Sequence, residues 1–337
     1  MGKVLIAIDQ GNSKTELIVT SISGNILARQ CIKYPLFISS IKMFEQRRWE
    51  YIKTLFLETM SSIDRGIGDV VYLLAAVCGA DTKDDIKKIR RSISSILGLS
   101  ENIIVIVSDS EAALRTSIST MQNSSNYAVI YAGTMFNCSL LSSEGIQFTY
   151  GRRVNVCDNG SYAIGQQVWK IVIDAYNGFI KETLLIPLFL QYHHCDSMAE
   201  LIVGFTNGKY VFTPNDYASI LFDAVTYSDK VALEIMEHFA QRWSLYVISG
   251  LPKIRLSSNV PINVALSGGI FKNSRELWLE MISTYIKKEC KNAILSSVTT
   301  DPIIGAVLLV LEKYYGKPLE LGVIHNVLNT PFSLLRQ

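Results

Sequence analysis

One arrangement of strands and turns occurs twice along the chain, and it restricts the fold more than any other feature of the sequence. Residues 3–9 read as a buried strand, and the turn at 10–13 contains Gly11. A second and a third strand are predicted over 15–21 and 26–33. Short polar turns that contain glycine are typical of β-hairpins, so the N-terminus is predicted to form a three-stranded meander.

The same arrangement begins again in the middle of the chain. A strand at 127–131 leads into the turn Ala132-Gly133-Thr134, and two further strands are predicted over 137–142 and 146–150. Two such units favour a duplicated domain. The alternative is that two common glycine-containing hairpins occur by chance.

Helices and strands alternate after each meander, which predicts an α/β fold with mixed sheets flanked by helices. The pattern comprises helix 43–63, strand 70–77, helix 81–97, strand 103–107, a helix from 111, a long helical region at 161–250, strand 260–266, helix 274–289, strand 293–298 and helix 303–315. The last helix has typical boundaries, with Asp301 and Pro302 at its start and Gly316 past its end.

The composition excludes several classes of protein. The 337 residues carry a net charge of only +2, and the longest basic cluster, 87–91, follows two aspartates, so no nucleic-acid partner is expected. The first apolar run, Val4–Ile8, is too short for a signal peptide, and no stretch is long enough to span a bilayer, so no membrane partner is expected. Six scattered cysteines without a CxxC pair indicate reduced thiols and a cytoplasmic protein.

The first glycine turn can form a phosphate site, although the chain has no Walker A loop and no GxGxxG after a strand. Gly11 allows a tight turn whose N–H groups point at one anion, and Lys14 adds a positive charge. Asp9, at the end of the strand, can reach a hydrated Mg²⁺. Further donors are Asn12, Ser13 and Thr15. The alternative is an ordinary hairpin turn with a capping aspartate.

Three more turns carry groups that suit a ligand site. Asp109 follows the strand at 103–107, where open α/β sheets bind ligands, and can accept a proton from a substrate hydroxyl or only cap the next helix. Asp158 precedes a helix and can hold a polar ligand or cap. The Ser267-Gly268-Gly269 turn allows close approach of a ring or a phosphate, or is a plain strand-to-helix turn.

The His193-His194-Cys195-Asp196 run is an unconvincing metal site. Adjacent residues point in different directions and seldom converge on one ion without further ligands. The chain has only four histidines in all. We therefore predict no metal at this position.

Taken in order, these motifs resemble the actin-like ATPase and sugar kinase superfamily. The strongest similarity is to the N-acetylglucosamine kinase branch, also called the BadF/BadG/BcrA/BcrD ATPase family. The resemblance implies two ribonuclease-H-like domains, 1–117 completed by 302–337 and 118–301, with a ligand cleft between them. It also implies ATP and Mg²⁺ as cofactors, a sugar as substrate and a homodimer.

The resemblance further implies a role for each motif in ATP-dependent phosphoryl transfer to a sugar hydroxyl, with an N-acetylated amino sugar as the acceptor. Asp109 would be the general base. Asp158, Gly133 and Ser161 would contact the sugar, and Asp9 would hold Mg²⁺ through water. The nucleotide would be bound by Gly11, Asn12, Ser13, Lys14, Thr15, Gly133, Thr134, Ser267, Gly268 and Gly269.

The sugar side departs from the family pattern more than the nucleotide side. Met135 and Phe136 follow Thr134 where the family has Gly-Ser, and Asn159 stands where it has Glu. The family's sugar-binding Asn has no clear counterpart in 34–37, and Arg152 with Arg153 favours an anionic substrate. Two alternatives remain open. One is a sensor that binds ATP or sugar without catalysis, and the other is an ATPase activator of a radical dehydratase with Cys138 and Cys157 on an iron–sulfur cluster.

Overall fold

Each copy of the repeated arrangement forms its own five-stranded sheet in the computed structural model, which describes residues 2–34, 41–121 and 126–328. The strands of the first sheet are β1 (Val4–Gln10), β2 (Lys14–Ser21), β3 (Ile26–Lys33), β4 (Val70–Val77) and β5 (Ile104–Val107). Their order is β3-β2-β1-β4-β5. The first three strands are antiparallel, and β4 and β5 run parallel to β1.

The second sheet has the same connectivity as the first. Its strands are β6 (Tyr127–Ala132), β7 (Phe136–Leu141), β8 (Gln147–Thr149), β9 (Ile262–Ser267) and β10 (Ala293–Ser297). Their order is β10-β9-β6-β7-β8, with an antiparallel meander and two parallel strands. The predicted fold class, two mixed α/β sheets from a duplication, is therefore confirmed, since chance hairpins would not share the order of all five strands.

Helices cover the faces of both sheets. They are α1 (Ile41–Ser62), α2 (Lys83–Leu97), α3 (Asp109–Thr120), α4 (Gly160–Tyr176), α5 (Leu185–His193), α6 (Met198–Thr206), α7 (Pro214–Thr226), α8 (Lys230–Gly250), α9 (Arg275–Glu289), α10 (Ile303–Tyr315) and α11 (Leu321–Leu328). The region predicted as helical at 161–250 is thus five separate helices. No helix of the described ranges is both long and apolar enough to cross a bilayer.

The chain divides into two compact units, each with one sheet. Unit 1 comprises Met1–Asn123 and Thr300–Gln337, and unit 2 comprises Ser124–Thr299. In unit 1, α1 and α2 pack on one face of the sheet, and α3 and α10 pack on the other. In unit 2, α8 packs on β6 and β7 and also contacts α9, α7 and α4. The α4–α7 helices, α8 and α9 share one hydrophobic core with the sheet. Residues 35–37, part of the predicted sugar-side difference, lie outside the described residues.

The start of α10 differs from the prediction in one respect. Pro302 is the cap residue, and no side chain caps the helix. The carboxylate of Asp301 instead binds Arg29 of β3, with Oδ2 2.7 Å from Nη2. Gly316 ends the helix in the left-handed conformation, as its position past the last turn predicts.

Gly305 allows α10 to lie directly against α3. A Cβ at this position would be 1.9 Å from the carbonyl oxygen of Ala112 and 2.6 Å from Oγ1 of Thr116. We expect Gly305→Ala to lower the free energy of unfolding by about 2 kcal/mol or more, because the two helices must separate. Urea unfolding measures this. Gly322→Ala is the matched control, since nothing lies within 4 Å of its new Cβ and alanine favours helix α11. Equal stability of the two variants would contradict the close contact.

Candidate functional site

Asp9 is a buried carboxylate with unfulfilled hydrogen-bonding capacity. It lies near the end of β1 on the same face as Leu5 and Ala7, which pack in the α10 core, and it is 4% exposed. Its Oδ1 has no hydrogen-bond partner among the described residues. Burial raises the pKa of Asp9 to about 7; Lys14 opposes this shift, and Asp109, Glu16 and Asp301 add to it. Such a group is expected to bind a cation or a water held by one.

A network of charges lies next to Asp9 and was not predicted from the sequence. Glu16 on β2 is opposite Asp9 in the strand register, and it binds Lys14 at 2.8 Å and Arg29 at 2.5 Å. Arg29 also forms a salt bridge with Asp301, which precedes α10. For Lys14, burial lowers the pKa, but the Glu16 carboxylate outweighs this and the net shift is upward. Lys14 is therefore held as a cation beside Asp9.

The first loop differs in detail from the predicted anion nest. The N–H of Gly11 donates to the carbonyl of Lys14 at 3.0 Å, so it is already used within the turn. The φ of Gly11 is not positive, and a Cβ there would have only Lys14 O nearby, at 3.8 Å. The turn therefore has a conformation that residues other than glycine can adopt at position 11. The fold tolerates a side chain at this position, and the space beside Gly11 is open.

The other side chains of the first loop have different environments. Ser13 is exposed, and Nδ2 of Asn12 donates to the sulfur of Cys78 at 3.4 Å. Thr15 is buried on the opposite face from Asp9, where its hydroxyl bonds to that of Tyr34. Thr15 therefore helps to fix the loop, whereas Lys14 and Asp9 share the face that α10 covers.

Asp109 lies at the same edge of the sheet as Asp9. It is the first residue of α3 and follows β5, which runs parallel to β4 and, through it, to β1. The alternative that Asp109 caps the helix is wrong, because Ser108 is the cap and accepts from the N–H of Glu111 at 3.2 Å. Burial raises the pKa of Asp109 to about 6; Asp81 adds to this, and the N–H of Ser110 opposes it. Asp109 is therefore available as a base near neutral pH.

The second loop is bound to the start of α4. The N–H of Ser161 donates to the carbonyl of Gly133 at 2.9 Å, and that of Phe136 donates to Oδ1 of Asn159 at 2.8 Å. Gly160 has a positive φ, and its Cβ would be 2.6 Å from Gly133 O. Thr134 is half-buried, and Met135 is exposed beside it. The structure thus brings three predicted site residues together in unit 2: Gly133, Thr134 and Ser161.

The Ser267-Gly268-Gly269 turn adjoins the same loop. Gly268 has a φ of +109°, and its Cβ would be 2.2 Å from the carbonyl oxygen of Ala132. This glycine is therefore required by the fold. Gly133 and Gly269 are not, because a Cβ at either would meet nothing within 4 Å. A glycine at an open position leaves room for another group to approach the backbone.

Asp158 is held by side chains of α8. Its Oδ1 accepts from Nε of Arg242 at 2.9 Å, and Oδ2 accepts from Nη2 of Arg242 and from the hydroxyl of Tyr246, both at 2.8 Å. Trp243 donates to its backbone carbonyl. Although burial raises the pKa of Asp158, these bonds outweigh it and the net shift is downward. Its role in binding sugar hydroxyls stays a prediction.

The histidine and cysteine motifs do not form a metal centre within the described residues, where no group of three or more candidate ligands occurs. His193 packs among aromatic rings, including Phe189 and Tyr217. Cys138 is fully buried in the core of unit 2, whereas Cys157 is exposed. A cluster shared between two subunits needs accessible thiols, so the burial of Cys138 disfavours the dehydratase-activator alternative.

The comparisons with known proteins identify a fold and no closer relationship. No model of a known protein family and no curated protein sequence matches the chain. Solved structures do. A candidate N-acetylglucosamine kinase from Chromobacterium violaceum is 15% identical with a TM-score of 0.66, and the match covers 91% of this chain and 99% of that one.

Two further structures illustrate the range of proteins with this fold. A ROK family glucokinase from Streptomyces griseus, in complex with glucose and AMPPNP, is 14% identical, with a TM-score of 0.57 over 91% of this chain and 98% of its own. A ROK family transcriptional regulator, a homologue of the E. coli MLC protein, is 12% identical, with a TM-score of 0.60 over 98% and 82%. The chain therefore has the duplicated actin-like ATPase and sugar kinase fold.

Proposed function

We propose that the protein is an ATP-dependent kinase that phosphorylates a hydroxyl of a sugar, as an N-acetylglucosamine kinase does. The fold similarity supports this reaction class, because the glucokinase with this fold was solved with a sugar and an ATP analogue. The sequence resemblance to the BadF/BadG branch supports an N-acetylated amino sugar. We also propose that units 1 and 2 are the two actin-like domains.

The observation on which the proposal rests is the pair Asp9 and Asp109. Two carboxylates at one edge of a sheet have raised pKa values, near 7 and near 6, in an α/β fold that binds ligands at such edges. One carboxylate can bind a cation while the other accepts a proton. Phosphoryl transfer uses both roles, since catalysis depends on positioning and on the stabilisation of phosphate charge.

Asp109 would act as the general base. Its carboxylate is oriented by the N–H of Ser110, 2.8 Å from Oδ1, at the start of a helix that is rigidly packed on α10. It would accept the proton of the sugar hydroxyl while that oxygen attacks the γ-phosphorus of ATP. Lys14 would place its charge near the phosphates, and the open backbone at Gly11 and Gly133 would allow the phosphates to approach.

The residues around Asp9 fit Mg²⁺. The unpartnered Oδ1 is a hard oxygen ligand in an acidic environment, and a single carboxylate with retained waters is a usual way to hold this ion. Mg²⁺ would neutralise phosphate charge during transfer. Glu16 is already committed to Lys14 and Arg29, so Asp9 is the carboxylate that we assign to the ion.

A screen for ADP release tests the reaction class. The purified protein would be given ATP, Mg²⁺ and, in separate reactions, hexoses, N-acetylhexosamines and sugar acids. Sugar-dependent ADP release supports the kinase. If ATP binds but no sugar is phosphorylated, the non-catalytic sensor is the better assignment, and the hydrogen bonds that Asp158 makes to Arg242 and Tyr246 would explain it.

Alanine at the open glycines tests the nucleotide site. We expect Gly11→Ala and Gly133→Ala to keep the unfolding free energy within about 0.5 kcal/mol, because neither position needs a positive φ or lacks space. We expect ATP affinity to fall at least about tenfold, because the new methyl groups occupy the space of the phosphates. Calorimetry and urea unfolding measure the two effects.

The matched control for these variants is Gly268→Ala. Its φ of +109° and the 2.2 Å approach to Ala132 predict a loss of stability, which the other two variants should not show. Unchanged ATP affinity in Gly11→Ala and Gly133→Ala would remove both loops from the nucleotide site.

A further inference from the structure

The carboxylate of Asp158 has little capacity left for a substrate. It is 2% exposed, and both oxygens accept hydrogen bonds from Arg242 and Tyr246. The hydroxyl of Tyr246 also accepts the N–H of Asn155, so the turn before α4 is tied to α8 at two points. A sugar hydroxyl would have to displace this network to reach Asp158.

Arg242, in contrast, is both held in place and accessible. Its side chain is 38% exposed. A guanidinium has five N–H donors, and two of them bond to Asp158. Nη1 has no partner among the described residues. Because the Asp158 carboxylate fixes the plane of the fork, the free edge is already oriented for a second planar anion.

Asp158, the partner of Arg242, lies near the second loop in sequence and in packing. Gly160 follows Asp158 by two residues, and two residues span at most about 7 Å of chain. Gly160 in turn touches the carbonyl of Gly133. Phe136, at the end of the loop, stacks on Trp243 and contacts Tyr246, the neighbours of Arg242 on α8. The loop that we assign to phosphate therefore contacts two residues of α8 that adjoin Arg242, and the turn that carries its partner Asp158.

Arg242 pairs with one carboxylate, that of Asp158. The Asp158 carboxylate neutralises one positive charge. Asn159 supplies no negative charge at the position where the resembled family has a carboxylate. His238 lies one helical turn before Arg242 and acts electrostatically on Asp158. Arg153 is over the ring of Phe148, which contacts Tyr150, and Tyr150 contacts Tyr246. The exposed edge of the Arg242 guanidinium thus favours an anion over a neutral ligand.

We propose that the outer edge of Arg242, positioned by Asp158, binds a negatively charged group of the sugar, so that the acceptor is an acidic sugar. This inference rests on the proposed kinase function and makes its substrate class more specific. The specificity would come from a salt bridge in which the guanidinium lies between two carboxylates, one from Asp158 and one from the substrate.

Matched neutral and carboxylated sugars test this specificity. The probes are glucose with glucuronate, and N-acetylglucosamine with its 3-O-lactyl ether, in ADP-release assays and in calorimetric titrations. We expect the acid of at least one pair to bind about 10- to 100-fold more tightly than its neutral partner, the range of one charge-assisted bond. Phosphorylation of neutral sugars alone would keep the kinase and overturn the acidic acceptor. If no sugar is phosphorylated, calorimetry still decides, because equal or absent binding of the acids overturns the inference.

A double variant separates the role of Arg242 in binding from its role in folding. Replacing Arg242 alone would leave Asp158 buried and unpaired. Arg242→Gln with Asp158→Asn removes both charges and keeps amide hydrogen bonding. We expect it to raise KM for the acid about 10- to 100-fold more than KM for the neutral partner. Arg91→Gln, on the exposed surface of α2, is the control. An equal change for acid and neutral sugars would show a merely structural role and overturn the inference.

Discussion

Replacing Asp109 with asparagine is expected to lower kcat by about 10²- to 10⁴-fold while ATP binding is retained. The amide keeps an oxygen for the N–H of Ser110 but cannot accept the proton of the attacking hydroxyl. Steady-state kinetics with the best sugar of the screen measures the loss, and nucleotide titration checks binding. Asp84→Asn, exposed on α2, is the control. Wild-type turnover in Asp109→Asn would remove the residue from the mechanism.

The same residue sets the expected pH profile. Burial raises the pKa of Asp109 to about 6, and only the carboxylate can act as a base. We therefore expect kcat/KM to rise about tenfold per pH unit below 6 and to level off above it. A profile that is flat between pH 5 and 8 would contradict the assignment.

Replacing Asp9 with asparagine is expected to make the protein more stable at pH 8 and inactive. The folded-state pKa of about 7 lies above the ordinary value of 3.8, so the stability from this group is complete below pH 3.8 and is lost as the pH rises through 7. The difference corresponds to roughly 4 kcal/mol. Asparagine carries no charge, so the gain relative to wild type should be largest at pH 8.

Urea unfolding at pH 5 and pH 8, without divalent cations, measures this effect. Glu16→Gln is the matched control of opposite sign, because it weakens the bonds of the half-buried Arg29 and leaves that charge without its buried partner. If Asp9→Asn is no more stable than wild type at pH 8, the buried carboxylate is not a source of strain. Greater stability with full activity would remove Asp9 from the metal site.

The sequence was sufficient to predict the duplication because each meander is local. The strands of a hairpin are neighbours in sequence, and a glycine turn between apolar runs fixes their pairing. The positions of Asp9 and Asp109 at strand ends were predictable because each follows a local apolar run that marks a strand. The chemical state of Asp9 was not, since its pKa depends on α10, which lies almost 300 residues further along the chain.

The two charge networks were missed because their members are distant in sequence. Asp158 and Arg242 are separated by 84 residues, and Arg29 and Asp301 by 272. Glu16 and Arg29 gave a weak signal as opposite charges on adjacent predicted strands, which can pair across a sheet. Arg242 gave none, because an arginine on an amphipathic helix is common. The role of each glycine could not be predicted, since the sequence alone cannot distinguish a glycine that a turn requires from one that leaves room for a ligand.

The contact of α10 with unit 1 bears on the order in which the chain folds during synthesis. Buried residues of α10, among them Val307 and Leu308, together with Val327 of α11, complete a core whose remaining buried members precede residue 113. As the ribosome releases the chain, the face of the first sheet that α3 and α10 share stays incomplete until α10 emerges, and unit 2 precedes α10 in the chain. Unit 1 is therefore completed after unit 2, and a nascent chain stalled before residue 303 would expose a surface that chaperones bind.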